Sequence, residues 1–411
     1  MRSGVNRNGK RVLFLVRQYA PIPKVCEICV KRVRRALYEQ GVKSDVLQFT
    51  GNEGVVETLP IGNVYSIGAG EGKLDTTFKN EFAHFLKKAS VAYRWPFFFS
   101  HKLNAKFKKR IIELNDINDY DAIIGIALPI DTAVAGIGFE NFIFYELDAI
   151  TNNPQNSGLV KSILRYRVKI IEKAVFDSAS LIIHMECNRD YFKKERYSAY
   201  KNKSIYSDIP NLIRFSNKDT VHSPDKILCA YFGSLDKSAR NPEYLIKIME
   251  SIKYHTDIIC EFYSRGNCED VLKNAEAENP KVIRAMGYVA QAEVKKNQMR
   301  ADFLLSIGNK LTGEDRALPS KILEYMSIGK PIIHIHGGCN DSAIPYLKQY
   351  ELACIVNPDN GFSENVLKVS RFIKESLGKR IAFDNIKDLF YRNSPDYTAN
   401  IIMDFLERSS L

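Results

Sequence analysis

Short apolar runs alternate with helical stretches along most of this chain, and this alternation restricts the fold more than any other feature. Residues 25–41, VCEICVKRVRRALYEQG, carry apolar side chains at helical spacing before Gly41 ends the helix. Strand–helix alternation is typical of α/β folds with a doubly wound parallel sheet. In the first half the strand-like runs are RVLFLV (11–16), SDVLQF (44–49), NVYSIG (63–68), DAIIGIA (121–127), FIFYELD (142–148) and SLIIHM (180–185).

A second series of the same kind follows a change in composition. Residues 209–226 are rich in Asn, Ser, Asp and Pro, which marks a domain boundary. We therefore predict two Rossmann-like domains, residues 1–215 and 216–394, that face each other across a cleft at the carboxyl ends of their strands. The later strand-like runs are KILCAYFGSL (226–235), DIICEFYSRG (257–266), KVIRAMGYV (281–289), ADFLLSIGN (301–309) and PIIHIH (331–336).

Composition limits the class of protein and its partners. The 411 residues carry a formal net charge of +11, so an anionic partner is expected: nucleic acid, a membrane surface or a phosphorylated substrate. No run of about 18 apolar residues is present, and the apolar part of the start is too short for a signal peptide. Eight scattered cysteines favour reduced thiols in the cytosol. Cys26 and Cys29 suit one helix face; a zinc or redox pair needs partners that the neighbouring sequence lacks.

The stretch LPSKILEYMSIGKPIIHIH (318–336) predicts a short helix followed by a strand. Pro319 suits the first turn of the helix, and Gly329 and Pro331 mark its end. Ser320 and Lys321 then add a hydroxyl and a cation to the free N–H groups of the helix N-terminus, which outlines an anion site. With Glu324, about 4.5 Å further along the axis, Lys321 would suit a diphosphate and a ribose. The alternative is a surface Lys–Glu pair.

A second turn carries glycine and cations directly after a strand. In YFGSLDKSARNPEYL, Gly233 and Ser234 end the strand, and Lys237 and Arg240 precede a helix. Glycine allows a backbone to approach a phosphate closely, and the two cations suit its oxygens. The turn lacks the ending of a Walker loop, and IGAGEG (67–72) matches only a fragment of a dinucleotide fingerprint, so we interpret that stretch as a turn.

These residues, with the MGYV turn, ADFLLSIGN and LPSKILEYMSIGKPII in that order, resemble the donor-binding domain of GT-B fold glycosyltransferases of the family 4 and family 1-like group. The resemblance covers most of residues 225–360. It implies that the second domain holds a nucleotide sugar and the first an acceptor, and that a C-terminal helix, residues 395–411, packs back on the first domain. It places the diphosphate at Gly233, Ser234, Lys237, Arg240 and Lys321, the base at the backbone of Tyr288 and Val289, and the ribose at Glu324. Ser320, at the helix N-terminus, is the remaining residue that we predict to bind the donor.

Two departures from the family pattern leave the stereochemistry of transfer open. Retaining members often carry a Glu where this chain has Arg316, and the usual glycine pair of the first loop is replaced by APIPK (20–24). An inverting route needs a general base, and Asp148 at the end of FIFYELD is the best-placed carboxylate, with Glu146 as its rival and a turn cap as the alternative role. His184, His334 and His336 lie in or beside strands without carboxylate clusters, so no metal site is expected. The resemblance implies no cofactor besides the nucleotide-sugar co-substrate.

Residues 75–112 combine aromatic and basic side chains unlike any other part of the chain. Phe78, Phe82 and Phe85 share a helix face, and nine Lys or Arg lie between Lys79 and Arg110 against one acid, Glu81. Such a segment suits an anionic membrane surface, where each basic residue contributes about 1 kcal/mol. The alternatives are domain core with solvated lysines, and single-stranded nucleic acid, for which no recognition motif is present. The membrane contacts we predict are Trp95, Lys106, Lys108, Lys109 and Arg110.

Together these features predict a cytosolic GT-B glycosyltransferase, peripheral on the inner face of the membrane. It would move a sugar to a glycan or lipid-linked acceptor in cell-surface polysaccharide assembly, with no nucleic-acid partner. Two alternatives stay open: a GT-B-like nucleotide-sugar epimerase, and a non-catalytic basic protein that binds nucleic acid or membrane. The sequence does not identify the sugar, the nucleotide base, the acceptor or the linkage.

Overall fold

The computed structural model describes residues 9–21, 25–69, 97–127, 129–147, 159–215, 226–252, 257–310, 320–338 and 341–409. The chain divides into two compact units. Unit 1 comprises Met1–Asn211 together with Arg392–Leu411, and unit 2 comprises Leu212–Tyr391. The end of the chain therefore belongs to the unit that contains its beginning.

Unit 1 is built on an eight-stranded sheet in the order β3-β4-β2-β1-β5-β6-β7-β8. Neighbouring strands are parallel except β3, which runs antiparallel to β4 at the edge. The order reverses direction on either side of β1, which is the doubly wound arrangement. The strands are β1 (Arg11–Val16), β2 (Lys43–Thr50), β3 (Gly54–Leu59), β4 (Gly62–Ala69), β5 (Ala122–Ala127), β6 (Phe142–Glu146), β7 (Leu181–Met185) and β8 (Ser204–Ser207).

Unit 2 is built on a six-stranded parallel sheet in the order β11-β10-β9-β12-β13-β14. The chain enters at the centre of the sheet and builds outward on both sides, so β9 and β12 are neighbours although they are far apart in sequence. The strands are β9 (Ile227–Leu235), β10 (Ile258–Gly266), β11 (Ile283–Ala285), β12 (Phe303–Ile307), β13 (Ile332–Ile335) and β14 (Ala353–Val356).

Helices connect most of these strands, as right-handed parallel crossovers require. In chain order they are α1 (Val25–Glu39), α2 (His101–Asn118), α3 (Ile130–Ala135), α4 (Leu159–Ser178), α5 (Arg189–Phe192), α6 (Glu243–Ile252), α7 (Glu269–Glu278), α8 (Gln291–Arg300), α9 (Ser320–Ile328), α10 (Ile344–Leu347), α11 (Phe362–Ser376), α12 (Phe383–Leu389) and α13 (Pro395–Arg408).

The central strands are buried on both faces, which explains their continuous apolar sequence. Phe14 of β1 packs into one cluster with Val30 of α1 and Ile402 of α13. Its neighbour Leu13 points to the other face and packs with Phe107 of α2. The C-terminal helix α13 lies against α1, so it covers the same face of the unit 1 sheet as the first helix of the chain.

The predicted fold class is confirmed: two parallel α/β sheets, with a C-terminal helix that packs back on the first unit. Three strands were not predicted. β3 is an exposed edge strand, and β8 and β14 have four residues each, so none carries a long apolar run. The run at 281–289 forms a strand only over Ile283–Ala285. No helix within the described ranges is long and apolar enough to cross a membrane.

Candidate functional site

Helix α9 begins at Ser320 and presents Lys321 and Glu324 on its partly exposed side. Its opposite side is apolar and fully buried, with Ile322, Leu323 and Met326 each at 0% exposure. This burial fixes the helix against the unit 2 sheet, so the positions of Lys321 and Glu324 are set by packing. Residues 311–319, which include Arg316 and Pro319, lie outside the described ranges.

The buried Tyr325 hydroxyl connects α9 to the strand that leads into the glycine turn. The ladder between β12 and β9 ends at the pair Leu305–Tyr231, so the backbone of Phe232 has no strand partner on that side. The N–H of Phe232 donates instead to the Tyr325 hydroxyl oxygen at 3.1 Å. Tyr325 thereby links the middle of α9 to the end of β9 at Phe232.

The glycine turn after β9 returns on itself and brings Arg240 back to Ser234. Asp236 Oδ1 accepts hydrogen bonds from the backbone N–H groups of Ser238 and Ala239, at 2.9 and 3.0 Å. The N–H of Arg240 donates to the Asp236 carbonyl at 2.8 Å, which closes the turn. Arg240 Nη1 then lies 3.4 Å from Ser234 Oγ. Gly233, Ser234 and Arg240 are therefore brought together, as the resemblance implies.

Lys237 of the same turn points elsewhere. Its ammonium lies 2.5 Å from Asp270 Oδ2 on α7, and its backbone N–H donates to Asn267 Oδ1 at 2.9 Å. The hydrogen bond to Asp270 raises the pKa of the Lys237 ammonium. A phosphate contact at Lys237 therefore competes with an existing ion pair, whereas none of the carboxylates in the described ranges forms an ion pair with Arg240.

The ammonium of Lys321 is partly buried among charged groups of the turn and helix. Burial lowers its pKa, because a charged form is unfavourable away from water. Glu324 opposes this shift, and Arg265 and Arg240 lower the pKa further by repulsion between like charges. An anion placed among these groups would relieve both the desolvation and the repulsion. The arrangement is therefore suited to a phosphate or diphosphate.

A cavity of about 250 Å³ opens beside this cluster at the carboxyl ends of β9, β10 and β11. Tyr288, in the loop after β11, lines the cavity and is 73% exposed. Val289 is half-buried and does not line it. The other lining residues are Leu235, Ser264, Arg265, Gly266, Cys268, Glu269, Leu272, Lys273, Ala285 and Gly287. The cavity can hold a planar ring next to an aromatic side chain.

Of the two candidate bases of unit 1, the structure describes only Glu146. Asp148 lies outside the described residues, so its role stays a prediction. Its rival Glu146 is 0% exposed, and Oε2 lies 2.6 Å from Nδ1 of the buried His184. A carboxylate so enclosed lacks access to an acceptor hydroxyl, so Glu146 is a structural group. Within the described ranges no group of three His, Cys, Asp or Glu could hold a metal ion.

All four basic residues predicted on α2 to contact a membrane have partners inside unit 1. Lys106 pairs with Glu53 at 2.8 Å, and Arg110 with Glu113 at 2.9 Å. Lys108 donates to two backbone carbonyls, and burial lowers the pKa of its ammonium. Lys109 has a side chain that is 80% exposed and lies 3.9 Å from Glu113.

The aromatic residues of this segment divide between core and surface. Phe99 is 5% exposed and stacks on Phe49, with ring centres 4.0 Å apart, so it belongs to the core. Phe98 is 38% exposed beneath the guanidinium of Arg17. Trp95, Phe78, Phe82 and Phe85 lie outside the described residues.

Solved structures share this fold over almost the whole chain. WaaG, a glycosyltransferase involved in lipopolysaccharide biosynthesis, is 14% identical, covers 95% of this chain and 99% of its own, and has a TM-score of 0.54. HepE from Anabaena, in complex with UDP and glucose, is 13% identical over 98% of both chains, with a TM-score of 0.51. A trehalose-6-phosphate synthase is 16% identical over 96% of this chain and 99% of its own, with a TM-score of 0.57. No protein-family model matches the chain, and no curated protein matches it in sequence.

These likenesses confirm the GT-B fold that the sequence predicted, since they extend over both units. At 13% to 16% identity they show the fold alone. The residues that bind and react must therefore be argued from the site of this chain.

Proposed function

We propose that this protein is a glycosyltransferase that moves a sugar from a nucleotide-sugar donor to a glycan acceptor. The observation that carries the proposal is the cluster of Lys321, Arg240 and Ser234 beside a cavity at the strand ends of unit 2. In sugar transfer the bond between the anomeric carbon and the diphosphate oxygen breaks, and its electrons go to the diphosphate. Cations held in a partly buried site stabilise that developing charge. The complex of HepE with UDP and glucose supports a donor of this class.

The remaining polar groups of the site have complementary roles in this proposal. Glu324 accepts hydrogen bonds from the ribose hydroxyls, and the cavity beside Tyr288 takes the base. As the new bond forms, the acceptor hydroxyl loses its proton. On an inverting route, we propose that the Asp148 carboxylate accepts this proton as the general base. A retaining route would need no such base, so the stereochemistry of the product tests this assignment.

The acceptor we propose is lipid-linked, with the protein peripheral on the inner face of the membrane. Two observations support this: the net charge of +11, and the lipopolysaccharide biosynthesis in which WaaG is involved. Among the predicted contacts that the structure describes, Lys109 has the most exposed side chain. The surface-polysaccharide assignment depends on this acceptor class.

Titration with nucleotide sugars tests the proposed function directly. Purified protein should bind at least one of a panel of UDP-, GDP- and CMP-sugars, and should release free nucleotide faster when a glycan or lipid-linked acceptor is added. Calorimetry and a free-nucleotide assay measure the two effects. An epimerase would instead change the sugar of the donor without an acceptor, and a non-catalytic protein would do neither.

Membrane attachment is tested by removing charge from two exposed lysines of α2 while the ion pairs of Lys106 and Arg110 stay intact. The double variant Lys102→Gln/Lys109→Gln should sediment less with anionic vesicles, because each basic residue near such a surface contributes about 1 kcal/mol. High salt should mimic the variant. The control, Arg371→Gln/Lys374→Gln, changes exposed residues of α11 by the same charge. Equal sedimentation of all three proteins, or none by the wild type, would contradict membrane attachment through α2 and leave this helix a purely structural role.

A further inference from the structure

Arg265 is a cation at the cavity that no sequence motif singled out. It lies at the end of β10, where the strand register places it directly beside Ser234 of β9. The next pair in the register is Gly266 and Leu235. A Cβ atom at Gly266 would lie 1.9 Å from the Leu235 carbonyl oxygen, so the two backbones are in tight contact. The backbone position of Arg265 is therefore held against the glycine turn.

Arg265, Arg240 and Lys321 form one group of cations. Arg240 contacts Ser234 at 3.4 Å, and Ser234 is the register partner of Arg265. Repulsion from Arg265 affects the pKa of Lys321 more than repulsion from Arg240 does. In the described part of the chain, none of the three cations has a carboxylate oxygen within ion-pair distance. Glu324 offsets the charge of Lys321, but three such cations favour a ligand with more than one negative charge.

Arg265 also links this group to the cavity. Its side chain lines the cavity, and its guanidinium carbon lies 6.0 Å from the ring centre of Tyr288. An exposed arginine in this position can reach an anion bound at the cavity mouth. A guanidinium binds two phosphate oxygens at once, which an ammonium cannot do.

We propose that Arg265 is a phosphate-binding residue that completes a three-cation site for the diphosphate of a nucleoside diphosphate, with the nucleoside in the cavity beside Tyr288. This inference rests on the proposed function and adds a residue and a charge requirement to it. The site prefers a diphosphate over a monophosphate, because a single phosphate leaves part of the positive charge uncompensated.

The test compares Arg265→Gln with the wild-type protein in calorimetric titrations of UDP, GDP, UMP, GMP and the free nucleosides. For the diphosphate that the wild type binds, affinity should fall roughly fivefold to tenfold in Arg265→Gln. The loss should be smaller for the monophosphate and absent for the nucleoside. Affinity of the variant should also depend less steeply on salt concentration. Arg265→Lys should recover part of the lost affinity, since it restores the positive charge but cannot bind two phosphate oxygens at once.

Arg371→Gln is the matched control, because it removes one exposed positive charge from α11. It should leave all affinities unchanged. Unchanged diphosphate affinity in Arg265→Gln, or an equal loss for nucleoside and diphosphate, would overturn the inference and leave the proposed function standing. If the wild type binds no nucleoside diphosphate, this inference is overturned, and the proposed function is overturned with it only if no nucleotide sugar of the panel binds either. Thermal unfolding of each variant separates a binding loss from a folding defect.

Discussion

Replacing Lys321 by alanine should weaken binding of the nucleotide-sugar donor by roughly tenfold to a hundredfold, since a hydrogen bond to a charged group contributes about 1.5 to 3 kcal/mol. The unfolding temperature should stay the same or increase. The physical reason is that Lys321 is half-buried, with burial and two arginines acting against its charge. Removing such a cation costs the free protein little, whereas the donor loses a contact. Calorimetric titration and thermal unfolding measure the two effects.

The pH dependence of donor binding gives the same prediction a second readout. Binding needs the protonated ammonium, and burial lowers the pKa of Lys321 from its ordinary value of 10.5. Affinity should therefore decline as the pH rises through a value below 10.5. Lys321→Arg should not show this decline, because a guanidinium stays charged, although its planar shape should leave affinity below that of the wild type.

Two further variants make the prediction specific to the site. Glu324→Gln keeps the shape of the side chain and should weaken donors and nucleosides alike, since it acts on the ribose. Lys374→Ala removes an exposed lysine of α11 and should change nothing. If donor affinity is unchanged in both Lys321→Ala and Glu324→Gln, α9 does not contribute to the donor-binding site.

Replacing Lys330 by methionine should lower the free energy of unfolding of unit 2 by about 3 kcal/mol, because buried carbonyl groups would lose their donor. Lys330 is only 3% exposed, and its ammonium donates to the carbonyl oxygens of Gln298, Met299 and Ala301 at the end of α8. The last carbonyls of a helix have no partner within it and carry partial negative charge. Methionine has a similar length, so packing is kept while the charge and the hydrogen bonds are lost.

Calorimetric unfolding is the appropriate measurement, since it can resolve separate transitions of the two units. Lys296→Met is the matched control, because Lys296 is an exposed lysine on α8 itself. It should change stability by less than about 0.5 kcal/mol. Lys330→Arg should restore only part of the loss, since a larger planar group does not fit a buried site shaped for an ammonium. A Lys330→Met protein as stable as the control would show that other groups satisfy these carbonyls.

Local sequence patterns were sufficient to predict the architecture. The continuous apolar run of β1 and the helical spacing in α1 reflect neighbours a few positions apart, and burial of both faces of the sheet leaves few alternatives to a doubly wound fold. The same local logic led to the prediction that Lys321 and Glu324, three positions apart on α9, bind the donor. Gly233 near the end of β9 and the cations that follow the strand were also predicted from local sequence.

The long-range contacts of the site were decided only by the tertiary structure. Pro331 and Gly329 correctly indicated the end of α9, but nothing local indicated that Lys330 between them caps a helix some thirty positions earlier. Lys237 and Arg265 are both cations near the end of a strand, and the sequence does not show which of them faces the cavity. The structure places Lys237 against Asp270 and Arg265 beside Ser234, because strand register and the turn at Asp236 determine which cation faces the cavity. Residue type and spacing determine secondary structure and burial, whereas partners distant in sequence are selected by how the strands and helices pack.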